Sequence, residues 1–133
     1  MKIKTLLLIT LALLAGTEIA NASCKQIDAK GTWITYQAAF VTNPGDQHVG
    51  QCKLVVDKTG HVGEGSYCEF INLSPQLPTE GQITVNKDCS ASIEGNLGEM
   101  HGQVQIAKNK QTYSGRFSAQ GGDVSGITNA VKQ

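Results

Sequence analysis

The chain has 133 residues, 15 of them glycine, with 11 basic against 11 acidic side chains. That length suits one domain of ordinary size, and the balanced charge excludes a strongly basic nucleic-acid binder. A hydrophobic content of 40% argues against an unfolded chain.

The first residues read as an export signal. Lys2 and Lys4 precede an apolar run from Leu6 to Ala15 that only Thr10 interrupts, and Ala20-Asn21-Ala22 fits the small-x-small cleavage rule. The run is about half the roughly 20 residues that a spanning helix needs. The expectation is therefore a signal peptide over residues 1–22 and a single domain over 23–133. The protein would be secreted or periplasmic, with no transmembrane segment in its mature form. The run Asn21-Ala22-Ser23-Cys24 is a poor match to the Leu-Ala-Gly-Cys type of lipid-attachment signal. Removing Lys2, Lys4 and Glu18 leaves nine basic and ten acidic groups, a net charge of −1. No nucleic-acid partner is expected from that balance.

Cys24, Cys52, Cys68 and Cys89 all follow the cleavage site. An even number of cysteines in an exported chain predicts two structural disulfides. Metal ligation favours closer pairs of the C-x-x-C type. Sequence leaves three connectivities open. The favoured one joins Cys24 to Cys52 and Cys68 to Cys89, with the second bridge clamping the connection at 72–80.

Beyond the signal, apolar residues alternate with period two and no helical spacing persists. Ile34, Tyr36, Ala38 and Phe40 alternate, as do Cys52, Leu54 and Val56. Strands are predicted near 31–41, 49–57, 61–71, 81–86, 89–97, 101–108, 111–119 and 122–128. The connections carry turn chemistry, such as Asn43-Pro44-Gly45-Asp46 and Lys58-Thr59-Gly60-His61, and are too short for crossover helices. Only 72–80, with two prolines, reads as a long loop. The fold class is thus all-β: an antiparallel up-and-down meander of seven to eight strands, forming a small disulfide-stabilised barrel or sandwich.

A polar-Gly-polar-apolar pattern recurs around Gly65, Gly81, Gly95, Gly102, Gly115 and Gly126. Glycines on successive strands allow a sheet to coil tightly. Gly81 and Gly102 read instead as ordinary turn glycines.

Catalytic chemistry finds little support. There is no G-x-S-x-G, and His48, His61 and His101 read as exposed loop residues rather than a metal cluster. Glu64 and Glu94 occupy equivalent places in the repeat and read as solvated strand faces. No catalytic residue, metal or cofactor is expected, and an enzyme ranks last of three readings, to be revived by a cluster of His48, His61 or His101 with carboxylates in a cleft.

Seven aromatic residues follow the signal and are expected to fill the core or line a barrel. Trp33 lies on the opposite parity from Ile34, Tyr36 and Phe40, which calls for a bulge or a separate role. Gly31-Thr32-Trp33 resembles the G-x-W that opens the first strand of lipocalins and wider calycins. The resemblance implies a β-barrel that holds a small apolar ligand, with Trp33 closing one end beneath a stacked arginine. Arg116, the only arginine, would supply that stack. Candidate binding or barrel-closing residues are therefore Trp33, Arg116, Tyr36, Tyr67 and Tyr113.

Two functions compete. One is a small exported binding protein for an unknown apolar ligand, monomeric or weakly dimeric. The other is a bacterial, virulence-type interaction factor that binds a host protein, glycan or membrane lipid through its surface. A dry internal cavity favours the first, and a filled interior with an exposed aromatic patch favours the second.

Overall fold

The period-two segments form antiparallel strands in the computed structural model, which describes residues 23–41, 47–71 and 73–133. The strands are β1 (Gly31–Val41), β2 (Gln47–Val56), β3 (His61–Val62), β4 (Tyr67–Phe70) and β5 (Leu73–Pro78). They continue with β6 (Gly81–Val85), β7 (Ser90–Gly95), β8 (Met100–Ile106), β9 (Thr112–Ala119) and β10 (Val124–Lys132). The expected signal peptide, residues 1–22, and the turn at Asn43–Asp46 lie outside the described residues. No described helix is long and apolar enough to cross a membrane.

The sheet closes on itself because β1 pairs with β2 on one side and β10 on the other. Strands β3 and β4 lie end to end along β2, and β6 and β5 continue beside them. Each of these pairs makes one interrupted stave, so the whole is an eight-stranded closed antiparallel barrel in nearest-neighbour order. Closure leaves few free edges.

Segment 72–80 departs from expectation. Leu73–Pro78 is a strand, not a loop, and it pairs with β4 alone. A strand with one unpaired side tolerates proline, which has no N–H to donate. The prolines that suggested a loop thus mark an edge.

The repeat glycines serve close approach rather than turns, with Gly65 as the exception between β3 and β4. A Cβ on Gly115 would stand 2.1 Å from the Gln103 carbonyl oxygen, and one on Gly126 would stand 2.1 Å from that of Ala38. Any side chain there would push neighbouring strands apart and flatten the coil. Gly81 and Gly102, read as turn glycines, lie instead within β6 and β8.

The disulfides also differ from the favoured pairing. Cys52 bonds Cys68, its direct cross-strand partner on β4, and Cys24 bonds Cys89. The physical reason is register: β2 and β4 are hydrogen-bonded neighbours, which sets Cys52 and Cys68 face to face inside the barrel. Two disulfides fit an oxidising compartment.

The second bridge anchors a plug. A single 3-10 turn, Gln26–Ala29, runs under one end of the barrel. The Cys24 N–H donates to the Lys87 carbonyl. The Gln26 side-chain amide donates to the Ile83 carbonyl and accepts from the Val85 N–H, so it extends the β6 ladder. Above the plug, Trp33, Val56, Val62, Ile83, Ile106 and Tyr113 form the heart of the core.

Candidate functional site

Inward residues of β1 are Trp33, Thr35, Gln37 and Ala39, all buried. No bulge is needed for Trp33: it points inward, and the apolar row Ile34, Tyr36, Ala38 and Phe40 points out. Trp33 seals the plugged end. Its indole N–H donates to the Ala29 carbonyl at 2.7 Å, and its ring lies 5.1 Å from that of Tyr113.

The cation over Trp33 is Lys132, not Arg116. The Lys132 Nζ stands 4.6 Å from the ring centroid and donates to the Asp28 carbonyl. Arg116 has outward parity on β9, between inward Tyr113 and Phe117, and is exposed. The last strand passes directly beside β1, whereas β9 is one strand further away. That order decides which cation reaches the tryptophan.

Above this seal the barrel is hollow. A cavity of about 230 Å³ opens toward the opposite end. Its mouth is framed by the β7–β8 turn at Leu97 and Gly98, and by Ala119, Gln120 and Val124 where β9 turns into β10. Leu54, Ile93, Met100, Phe117, Phe70 and Leu77 line it with apolar surface. The Cys52–Cys68 disulfide, Gln37, Tyr113 and Thr128 also line it.

Among the described residues, no Asp, Glu, Lys, Arg or His lines this cavity. Burial raises the Tyr113 phenol well above its ordinary range, against the opposing pull of its hydrogen bond with Thr128. The phenol therefore stays neutral at any physiological pH. Gln37 donates from Nε2 to the Cys52 sulfur at 3.5 Å, a weak contact that leaves its amide available to a better partner. Beside it, the buried Thr35 hydroxyl has no hydrogen-bond partner. The site offers a neutral apolar chamber with a few hydrogen-bonding groups from β1, β9 and β10.

The other sequence-nominated residues lie apart from one another. Tyr113 lines the cavity, Tyr67 is half-buried on β4, and Tyr36 is exposed on the outer wall. Tyr36 and Phe40 thus depart from the expectation that the aromatics fill the interior. His48, His61 and His101 lie on strands β2, β3 and β8 rather than in loops; the His48 side chain lies outside the described residues, His61 is exposed, and His101 pairs with Glu94 across β7 and β8. Glu64 is exposed as well. Among the described residues, no group of three or more His, Cys, Asp or Glu could hold a metal.

Sequence reasoning missed Gln37 and Thr128. Both sit on the inner face in strands whose outer face is the more apolar one, so alternation alone assigns them to solvent. The inward parity set by the one tryptophan was the available signal.

Fold and cavity together define a small, closed, disulfide-bonded antiparallel barrel with a mainly apolar cavity at one end. No protein-family model matches the chain, and no curated protein matches it either.

Proposed function

We propose that this protein is an exported carrier that holds one small, uncharged, mainly apolar molecule inside the barrel. The observation behind it is the cavity of about 230 Å³, whose described lining residues carry no formal charge. An apolar cavity of about 150 Å³ accommodates a benzene-sized molecule, so this one suits about nine or ten heavy atoms. Ionised ligands are disfavoured because none of the described lining residues carries a charge to compensate the lost hydration. Hydroxyl or carbonyl groups suit Gln37 and the neighbouring Thr128.

The G-x-W resemblance supports the same reading. As implied for a lipocalin-like barrel, Trp33 closes the end opposite the mouth, here with lysine in the place expected for arginine. The apolar run at Leu6–Ala15 and the two disulfides support secretion or a periplasmic location. A surface-binding role toward a host molecule has its own support in the exposure of Tyr36 and Phe40 on the outer wall.

Calorimetric titration with 1-octanol and with octanoate, matched in length and different in charge, tests the carrier reading. The alcohol should bind one per chain, and the carboxylate about tenfold more weakly or worse. Equal binding of both, or of neither, would remove the carrier reading and leave the surface role in first place.

A further inference from the structure

The polarity of the cavity runs against its exposure to water. Its mouth is apolar: Ala39, Phe117 and Val124 pack there as a cluster of their own, with Met100 and Ala119 against them. Gln120 stands exposed on the rim, and the Thr79 hydroxyl donates to Asn96 Oδ1 at 3.2 Å. Deeper, between that cluster and the Trp33 seal, the lining turns polar. Gln37 and Thr128 face each other across β1 and β10, and the Tyr113 hydroxyl is hydrogen-bonded with Thr128. All three residues are buried. Thr128 follows Val124 by four residues of strand, which sets it about 13 Å below the mouth.

The repeat glycines help to hollow this level. Gly102, Gly115 and Gly126 take inward positions on β8, β9 and β10 and put no side chain into the barrel there.

The polar floor has hydrogen-bonding capacity to spare. Two hydroxyls hold two donors, and the bond between Tyr113 and Thr128 uses one of them. One Gln37 N–H goes to the Cys52 sulfur at 3.5 Å, a weak acceptor. A pure hydrocarbon guest would leave these groups desolvated and unmatched. A guest with its polar end at the mouth would do the same, and would also set that end against the apolar collar.

Building on the carrier reading, we propose that the guest is a single-headed neutral amphiphile bound head inward. Its hydroxyl or primary amide meets Gln37 and Thr128 on the floor, and its alkyl chain runs out through the apolar mouth. The head both accepts, from the Gln37 amide N–H, and donates, to the Gln37 carbonyl or the Thr128 hydroxyl. An ether oxygen only accepts and meets half of that requirement. The chain has no upper limit set by the cavity, because carbons beyond the mouth enter solvent.

Calorimetric titration of the disulfide-intact protein with four probes tests this: 1-octanol, its isomer 1-methoxyheptane, 1-decanol and toluene. The parent should bind 1-octanol about fivefold or more tighter than the isomeric ether, and 1-decanol at least as tightly as 1-octanol. Gln37→Leu and Thr128→Val should each weaken 1-octanol about fivefold or more and leave toluene unchanged or tighter. Equal binding of the two isomers overturns the head-inward order, and that comparison needs no variant to fold. So does tenfold weaker binding of 1-decanol, or a loss of toluene in the variants as large as that of 1-octanol. In those cases 1-octanol and toluene still bind, and the carrier reading stands. If neither 1-octanol nor toluene binds the parent, the carrier reading itself falls and the head-inward order with it.

Discussion

Lys132, on the last strand, holds its ammonium 4.6 Å from the ring centroid of Trp33 on the first. The contact ties the two strands that close the barrel at its plugged end. Trp33 is 1% exposed and is the only tryptophan, so its fluorescence reports this seal alone. Emission should be blue-shifted and resist quenching by iodide. Trp33→Ala should cost about 3–5 kcal/mol. Lys132→Met should cost less, about 0.5–2 kcal/mol, because burial of the ammonium already opposes its charge. Denaturant titration of both variants checks the order, and equal losses would contradict it.

Asp28 latches the plug. Burial pushes its carboxyl up, but the Lys110 hydrogen bond, the Lys25 N–H and the nearby lysine charges outweigh it and hold the group below the ordinary 3.8. A depressed folded value adds stability above the unfolded value and loses it as pH falls through the folded one. Melting temperature should therefore hold near neutrality and fall below about pH 4. Asp28→Asn should cost about 1 kcal/mol at pH 7 and almost nothing in strong acid. Asp57 and Asp88, which accept hydrogen bonds from Thr59 and Ser90 in their turns, add to the same acid loss.

Among the described residues, the Thr35 hydroxyl is the one buried side-chain polar group without a hydrogen-bond partner. A buried hydroxyl without a partner costs about 1–3 kcal/mol relative to an apolar group of the same shape. Thr35→Val should thus raise stability by about 1 kcal/mol or more, read as a higher melting temperature. A loss of stability would mean that the hydroxyl is satisfied by water or a bound molecule.

Peptide mapping without reduction should recover Cys24 linked to Cys89 and Cys52 linked to Cys68. The two bridges close spans of 65 and 16 residues. Chain-entropy reasoning puts their contributions at about 4 and about 3 kcal/mol. Removing Cys24–Cys89 should therefore lower the melting temperature more, and it should also loosen the plug and raise iodide quenching of Trp33.

Strand positions were legible because a closed barrel imposes period-two alternation that survives any register. Which face looks inward was less legible. The row Ile34, Tyr36, Ala38, Phe40 is the more apolar one, yet it faces out, while Thr35 and Gln37 face in. Hydropathy alone cannot assign faces when one wall also carries an apolar outer surface. The disulfides were hidden for a related reason: cross-strand register places Cys52 against Cys68, and spacing in sequence does not encode register. Leu73–Pro78 was hidden because proline marks a loop and a sheet edge equally well. The cavity arises from the side chains of six or more strands meeting in space, and no local motif announces it.

The central claim is that the barrel interior binds a neutral apolar molecule. Titration of 1-octanol into the parent and into Ala39→Leu tests it most directly. Ala39 is buried and lines the cavity, so the larger side chain enters that space and displaces the guest. The predicted result is binding by the parent and at least tenfold weaker binding by the variant, with the melting temperature of the variant unchanged or raised. Unchanged binding by Ala39→Leu would place the alcohol elsewhere and contradict the account.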